Sequence, residues 1–378
     1  MRAAVLFAGV AVWLVGALTG EAMAFIGAGL CAAALAPELS FAAVKTHWRG
    51  LVAWLAYSAL SLASASWALK PWRSGAPWSA LHWVFFPLAV LALRRLTPAQ
   101  RLRLLDVFCV MAIISALASV VQHFVPVFDQ PWLREYFTVQ RVLEPADNGG
   151  FKAGGLHFHR LRYAHTLVPL FFALAPDLWR ERRVLGVITL ALSLVGLFFT
   201  YTRASWVAVA FALAVVFLSR LRGRVGVRAE LIALTPLLIP LLAFVGLDKP
   251  ADRSFAWHNA IALFKAHPVL GVGYGGYPQQ ALTLNGGQHA TWPLIHLDAH
   301  SLLLQFFAEQ GVVGLALWVL MVVLFFRWVG PVSASVLGVL AMLGVVHNWA
   351  FHPVVMAAAA FALAWSAEFR RDGRPAGR

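Results

Sequence analysis

Long apolar runs dominate the sequence and limit what the chain can fold into. Runs of about 20 residues, the length an α-helix needs to cross a bilayer, recur from one end to the other. The chain has 378 residues, of which 61% are hydrophobic and only 12% are charged, and soluble domains do not bury so much apolar surface. The alternation of membrane β-strands is missing. The sequence therefore predicts an all-α, polytopic membrane helix bundle that forms a single integral membrane domain over residues 1–378.

Hydropathy predicts about twelve membrane-spanning helices separated by loops of unequal length. The first span can also be interpreted as a signal peptide, although a second apolar run follows it at once. Two loops exceed the length of a tight turn, a first large loop over 123–161 and a main loop over 248–299, in which we expect short helices. The predicted spans are 3–20, 23–44, 51–68, 78–94, 104–123, 162–178, 184–200, 204–219, 230–247, 300–326, 332–347 and 353–368.

The distribution of positive charge indicates the orientation of the chain. With a cytoplasmic N-terminus, 19 of the 30 Lys and Arg residues fall in cytoplasmic segments and 11 in the longer outer segments, as the positive-inside rule requires. Both termini are then cytoplasmic, and both long loops lie on the outer side of the membrane. The net charge of +14 belongs mostly to short loops, where it sets topology and attracts anionic lipids, so it does not indicate nucleic acid.

Two arginines stand at positions suited to binding an anion on the outer side. Arg203 lies in FFTYTRASW, on a short turn between apolar runs, and Arg253 opens an amphipathic helix that Pro268 ends. Asp252 is placed to cap this helix, near whose positive end a phosphate would also be stabilised. A guanidinium group matches phosphate oxygens with two parallel hydrogen bonds. Each arginine can equally be an interfacial residue solvated by water and lipid head groups.

Three of the four glycines in the segment HPVLGVGYGGYP match the pattern G-x-G-x-x-G, namely Gly271, Gly273 and Gly276. A dinucleotide site is excluded because no strand precedes the glycines and no βαβ unit surrounds them. We expect the glycines to let the backbone turn tightly and approach a neighbouring helix or a bulky ligand.

His296, Asp298 and His300 form the pattern H-x-D-x-H, for which a metal site is one interpretation. No third ligand follows at a diagnostic spacing, and Cys31 and Cys109 lie inside apolar runs as small buried hydrophobes. We favour His300 as a proton acceptor at the start of the tenth span. That span is too long for one straight helix, so we expect it to begin at His300 and to tilt. Asp298 is a candidate to orient His300, although residues two apart in a helix do not face each other.

Two further sets of polar residues need an explanation. Glu309 follows His300 by nine residues, on the opposite face of a continuous helix, so we expect it to be a structural anchor. Cations and histidines in the first large loop fit a pyrophosphate or acidic sugars, or equally lipid head groups. The candidates for a supporting role are Arg141, Lys152, Arg160 and His165, together with His296 and Asp298 of the main loop.

At this point the motifs resemble those of a known family. TYTRASW, DRSFAWHNAIALFKAHPVLGVGYGGY and HLDAHSLLLQFFAEQGVVGLALW are similar, in this order, to motifs of the O-antigen ligase and polymerase superfamily. The resemblance covers the region 190–330. It implies a bacterial inner-membrane, multi-pass glycosyltransferase with a periplasmic active site, inverting and metal-independent, that needs no cofactor. Its donor would be a glycan on undecaprenyl pyrophosphate, and a ligase would transfer this glycan to the lipid A core.

The resemblance also assigns roles to individual residues. Arg203 and Arg253 would hold the donor pyrophosphate, and His300 would activate the acceptor hydroxyl. Two positions depart from the family pattern, which commonly has Asn where Ser301 stands and often a second histidine where Asp298 stands.

Several functions remain open at the level of the sequence. We expect an O-antigen ligase, with an O-antigen or exopolysaccharide polymerase or a protein O-oligosaccharyltransferase of the same superfamily as alternatives. A transporter for anions or other solutes is the alternative of another class. It predicts charged residues near the middle of several spans or broken helices in related halves, and few such features are visible in the sequence.

Overall fold

The structure is a computed structural model that describes residues 1–38, 41–68, 80–125, 146, 149–157, 159–225, 251–284, 298–329, 332–346 and 352–371. These residues are mostly helical and form no β-strand, so the predicted all-α fold is confirmed for them. Among them, three helices are long and apolar enough to cross a membrane. The total of twelve spans stays a prediction.

The helices of the described residues overlap eleven of the predicted spans, and the predicted span 230–247 lies outside the described residues. Two short 3-10 helices cover Ala36–Glu38 and Ala80–Val84. The α-helices are α1 (Arg2–Thr19), α2 (Glu21–Leu35), α3 (Phe41–Ser64), α4 (Phe85–Arg94), α5 (Pro98–Phe124), α6 (Arg160–Glu181), α7 (Arg183–Phe198), α8 (Arg203–Val225), α9 (Ala251–Ala266), α10 (Tyr277–Leu284), α11 (Leu302–Val329), α12 (Ala334–Val346) and α13 (Pro353–Arg371).

The predicted boundary between the second and third spans is wrong. The sequence predicts spans at 23–44 and 51–68, but α2 ends at Leu35 and α3 already begins at Phe41. Pro37 lies in the short 3-10 helix between them. Proline has no N–H group and its ring clashes with the carbonyl four residues earlier, so the α-helix ends there.

Helix α13 lies at the centre of the bundle. Its residues from Val354 to Ala367 are all buried, and a helix that is apolar on every side needs neighbours all round. It packs against α1, α4 and α6. The indole N–H of Trp13 in α1 donates to the carbonyl of Ala357 at 3.2 Å, which fixes α1 against this central helix.

Long-range polar contacts define two ends of the bundle. At the end that we call the basic end, Arg94 contacts Glu368 at 2.6 Å and Arg182 contacts Asp106 at 2.7 Å. At the opposite end, which we call the site end, Arg162 at the start of α6 pairs with Glu21 at the start of α2. Each pair joins residues that the alternating spans of the sequence place on the same side of a membrane.

Helix α11 is broken at Gly311, and a turn from another part of the chain fills the break. Gly311 has φ 60° and ψ −162°. The N–H groups of Val312 and Val313, which follow the break, donate to the carbonyls of Pro268 and Val269 at 2.9 and 3.2 Å. The tenth span is therefore a broken helix and not the tilted continuous helix that we expected.

The same turn also satisfies the carbonyls that precede the break. The N–H groups of Val272 and Gly273 donate to the carbonyls of Ala308 and Glu309, each at 2.9 Å. Four hydrogen bonds thus join the segment 268–273 to the two halves of α11. Broken helices are tolerated at membrane depth only where other protein groups satisfy the freed backbone.

We expect Gly311→Ala to destabilise the protein by about 1–3 kcal/mol, because its backbone conformation is essentially restricted to glycine. In addition, a Cβ at this position would lie 2.4 Å from the carbonyl oxygen of Val269. Gly29→Ala in α2 is the control, since a Cβ there meets nothing within 4 Å. Thermal unfolding in detergent measures both variants, and equal midpoints for Gly311→Ala and Gly29→Ala would contradict the proposed constraint.

Candidate functional site

His300 lies in a turn that precedes α11, with its backbone in the left-handed region at φ 47°. The carboxylate oxygen Oδ1 of Asp298 accepts a hydrogen bond from the His300 backbone N–H at 2.6 Å and lies 3.1 Å from the ring Nδ1. An ionised carboxylate can only accept a hydrogen bond, so this contact favours the tautomer with the proton on Nδ1. The lone pair of Nε2 is then the basic site of the ring.

The contact between Asp298 and His300 corrects the expected geometry of this segment. We expected His300 to begin a helix, in which Asp298 would not face it, but α11 begins only at Leu302. Asp298 therefore orients His300 through a turn. Ser301, which also departs from the family pattern, is fully buried, and its hydroxyl has no hydrogen-bond partner among the residues that the structure describes.

A chain of hydrogen bonds connects the turn at His300 (residues 298–301), which we call the His300 turn, to the turn at residues 267–277, which we call the glycine-rich turn. The side-chain oxygen of Gln305 accepts from the N–H of Ala299 at 2.7 Å, and its amide nitrogen donates to Glu309 at 2.8 Å. The same carboxylate oxygen accepts from the N–H of Tyr277 at 3.2 Å. Glu309 is therefore the structural anchor that the sequence predicts.

The glycine-rich turn approaches two helices closely, as predicted. Gly271 and Gly273 have φ of 67° and 90°. A Cβ would lie 2.3 Å from the carbonyl carbon of Glu309 at Gly271, and 2.4 Å from the carbonyl oxygen of Ser64 at Gly273. The next N–H group, that of Tyr274, donates to the Ser64 hydroxyl at 3.0 Å. The turn thus joins α3 to α11.

The turn before Arg203 is the second strained site. Tyr201 has φ 53°, and it and His300 are the two residues other than glycine with positive φ in the described part of the chain. Arg160 donates from Nη1 to the carbonyls of Thr200 and Tyr201 at 3.3 and 3.5 Å. A cation stabilises carbonyls at a helix C-terminus, so Arg160 supports the turn from which the exposed Arg203 starts α8.

The segment 149–157 packs back into the bundle beside this turn. The Gln122 side chain accepts from the N–H of Gly154 at 2.9 Å and donates to the carbonyl of Gly155 at 2.6 Å. The ring of His123 stacks on Phe199 with centroids 4.3 Å apart. Within the same segment Lys152 is half-buried. The described part of the first large loop thus lies against the ends of α5 and α7.

His352, just before α13, is a site residue that the sequence analysis missed. It is half-buried and interacts electrostatically with Arg162, Asp298 and His159. Burial lowers its pKa, with a further decrease from Arg162. These interactions place the starts of α6 and α13 near Asp298 at the site end. The sequence signal was a histidine before Pro353 at the outer end of a span.

The remaining predicted site residues have different outcomes. Arg253 lies in the first turn of α9, where its side chain is outside what the structure describes. Asp252 lies inside this helix, which begins at Ala251, so its predicted capping position is wrong. His165 is buried in α6. Arg141 and His296 lie outside the described residues.

A metal site finds no support among the described side chains. Within them, no group of three His, Cys, Asp or Glu residues is arranged to hold a metal ion. Cys31 and Cys109 are both buried and unbridged, as predicted.

Part of the chain is similar to a known protein family. Residues 188–319 match a family model described as O-antigen ligase. The match supports the O-antigen ligase superfamily. The matched segment includes the Arg203 turn, the glycine-rich turn, the His300 turn and the break in α11. No curated protein matches the chain.

A buried histidine beside the matched segment, His157, is expected to make the stability of the protein depend on pH. The Thr166 hydroxyl donates to the carbonyl of Tyr163 at 3.0 Å, so it accepts a hydrogen bond from His157 Nε2, also at 3.0 Å. Burial of His157, and secondarily the charge of Arg162, lower its pKa to about 3. The unfolded chain therefore takes up a proton that the folded chain excludes, and stability falls as the pH decreases from about 6.5 towards 3.

We expect His157→Gln to reduce the loss of thermal stability between pH 7 and pH 5, because the replacement does not titrate and keeps a donor for Thr166. The unfolding midpoints at the two pH values measure this difference. The exposed His258 provides a control, since His258→Gln should keep the wild-type pH dependence. An unchanged pH dependence in His157→Gln would contradict the assignment.

Proposed function

We propose that this protein moves a glycan from undecaprenyl pyrophosphate to an acceptor hydroxyl at the periplasmic face, as an O-antigen ligase that uses the lipid A core. The family match supports a membrane glycosyltransferase of the ligase or polymerase type. The observation that carries the proposal is the contact between His300 Nδ1 and Asp298 Oδ1 at 3.1 Å. It gives Nε2 the lone pair that a general base needs.

The reaction is a single displacement. The acceptor oxygen attacks the anomeric carbon, its proton passes to His300 Nε2, and the bond between the anomeric carbon and the pyrophosphate oxygen breaks. Asp298 stabilises the imidazolium that forms. Undecaprenyl pyrophosphate leaves as an anion, the configuration inverts, and the proton on Nε2 returns to water. Because the sugar–pyrophosphate bond already stores the energy, the reaction requires no nucleotide, and the two arginines are assigned the charge stabilisation that a metal ion would otherwise supply.

Arg203 and Arg253 are assigned to the pyrophosphate, on the side of the anomeric carbon opposite His300. Guanidinium groups stabilise the charge that develops on the leaving oxygen. The supported turn at Thr200–Tyr201 favours this role for Arg203, because Arg160 fixes the backbone from which Arg203 projects. The hydrogen bond from Arg160 to the carbonyl of Thr200 therefore supports a positioning role for Arg160.

The site end is assigned to the periplasmic side of a bacterial inner membrane, with both termini in the cytoplasm. The basic end supports this orientation, because it carries Arg94, Arg95, Arg101, Arg180, Arg182 and Arg183. Such residues are enriched in cytoplasmic loops. A donor carried on a membrane lipid would then reach the site from the outer leaflet.

We expect His300→Ala to lower glycan transfer by at least about 100-fold, the scale of a lost general base, with donor binding kept. Purified protein in nanodiscs, with an undecaprenyl-pyrophosphate glycan and lipid A core, provides the assay. Chelation of divalent ions should not change the rate. Transfer at the wild-type rate by His300→Ala would exclude the base assignment, and transfer to a growing glycan instead of lipid A core would indicate a polymerase.

The arginine assignment predicts a different kinetic signature. Arg203→Ala should weaken donor binding, and Arg203→Lys should restore little, because an ammonium group cannot reproduce the two parallel hydrogen bonds of a guanidinium. Arg183→Ala is the control, since it removes the same charge at the basic end, where Arg183 stacks over Trp179 at 4.5 Å. The donor KM measures the effect, and an equal KM in Arg203→Ala and Arg183→Ala would contradict the proposed contact.

A further inference from the structure

Two buried polar side chains in the first half of α11 form a hydrogen-bonded relay. Gln305 and Glu309 are 2% and 1% exposed, and they lie one turn apart on the same face of the helix. A buried carboxylate loses its hydration, and this cost is offset only where hydrogen bonds replace the lost water. The partners of these hydrogen bonds therefore indicate what the pair does.

The relay joins the two segments to which the proposed chemistry is assigned. At one end Gln305 holds the N–H of Ala299, the residue before His300. At the other end Glu309 holds the N–H of Tyr277, where the glycine-rich turn ends. That turn follows α9, the helix in which Arg253 lies. The 2.8 Å hydrogen bond between the two side chains closes the connection.

We propose that Gln305 and Glu309 are positioning residues that hold the His300 turn in register with the glycine-rich turn. The proposal rests on the proposed function, because it assigns them the placement of the base relative to the donor. Neither side chain touches the substrate. They act through the backbone of Ala299, which fixes where the strained His300 turn leaves the protein core.

The directions of the hydrogen bonds allow a swap that restores the bond between the two side chains. In the wild type the Gln305 amide accepts from Ala299 and donates to Glu309, and the same oxygen of Glu309 accepts from Tyr277. In Gln305→Glu/Glu309→Gln the carboxylate accepts from Ala299 and from the amide nitrogen at 309, while the amide oxygen at 309 has to turn to reach the N–H of Tyr277. Gln305→Glu alone instead brings two carboxylates together and removes the donor between them.

A neighbouring position offers a matched control. Gln310 is also buried, at 1% exposed, but its amide donates to Tyr57 and Ser61 of α3 at 3.3 and 3.2 Å. Gln310→Glu therefore makes the same chemical change in the same part of α11, away from the hydrogen bond to Ala299. A merely structural role of Gln305 predicts the same kinetic result for both substitutions.

Transfer kinetics in nanodiscs provide the first readout. We expect Gln305→Glu to lower kcat by about 100-fold, the effect of misplacing a catalytic group by about 1 Å, with the donor KM nearly unchanged. The double variant should regain part of the rate, because the hydrogen bonds to Ala299 and between the two side chains are restored, and Gln310→Glu should keep the wild-type kcat per folded molecule. Gln305→Met, which removes the relay without adding charge, should reproduce the loss if Gln305→Glu does not fold.

Hydrogen exchange provides a readout that does not depend on activity. The amides of 298–301 should exchange faster in Gln305→Glu and return to wild-type protection in the double variant. Unchanged exchange in Gln305→Glu, or a wild-type kcat in a folded Gln305→Met, would overturn the proposal. If the wild type transfers no glycan but the variants show this exchange pattern, the proposed function fails while the connection between the turns stands.

Discussion

The break in α11 at Gly311 fixes the glycine-rich turn and the His300 turn relative to each other. Backbone groups in a membrane protein must find partners inside the protein, because hydrocarbon offers none. Here the segment 268–273 supplies them, with two carbonyls for the residues after the break and two N–H groups for the residues before it. The glycine-rich turn is thereby fixed against α11, and the start of α11 carries the His300 turn.

The site is built on two strained turns that other side chains hold in place. Tyr201 and His300 both have positive φ, a conformation that persists only where the surroundings enforce it. Arg160 binds the carbonyls of the first turn, and Asp298 binds the backbone and ring of the second. Such support fixes the geometry before substrate arrives, so little reorganisation would remain for the reaction.

The sequence predicted the features that depend on local patterns. Apolar runs predicted the helices, and the glycines of HPVLGVGYGGYP predicted a close approach to a neighbouring helix. The break at Gly311 was missed because the segment that satisfies it, 268–273, lies far earlier in the chain. The contact of Asp298 with His300 was underestimated because a helix was assumed there. His352 was missed because a single histidine before a span carries no local sequence pattern, and tertiary packing alone brings it near Asp298.

The proposed reaction requires Arg203, Arg253 and His300 to act on one phosphosugar. A cryo-EM structure with an uncleavable undecaprenyl-pyrophosphate glycan is the decisive experiment. We expect the pyrophosphate to lie against both guanidinium groups and the anomeric carbon to lie on the side facing His300 Nε2. A donor bound at the basic end, or one that contacts either arginine while His300 is too distant to reach the acceptor hydroxyl, would contradict it.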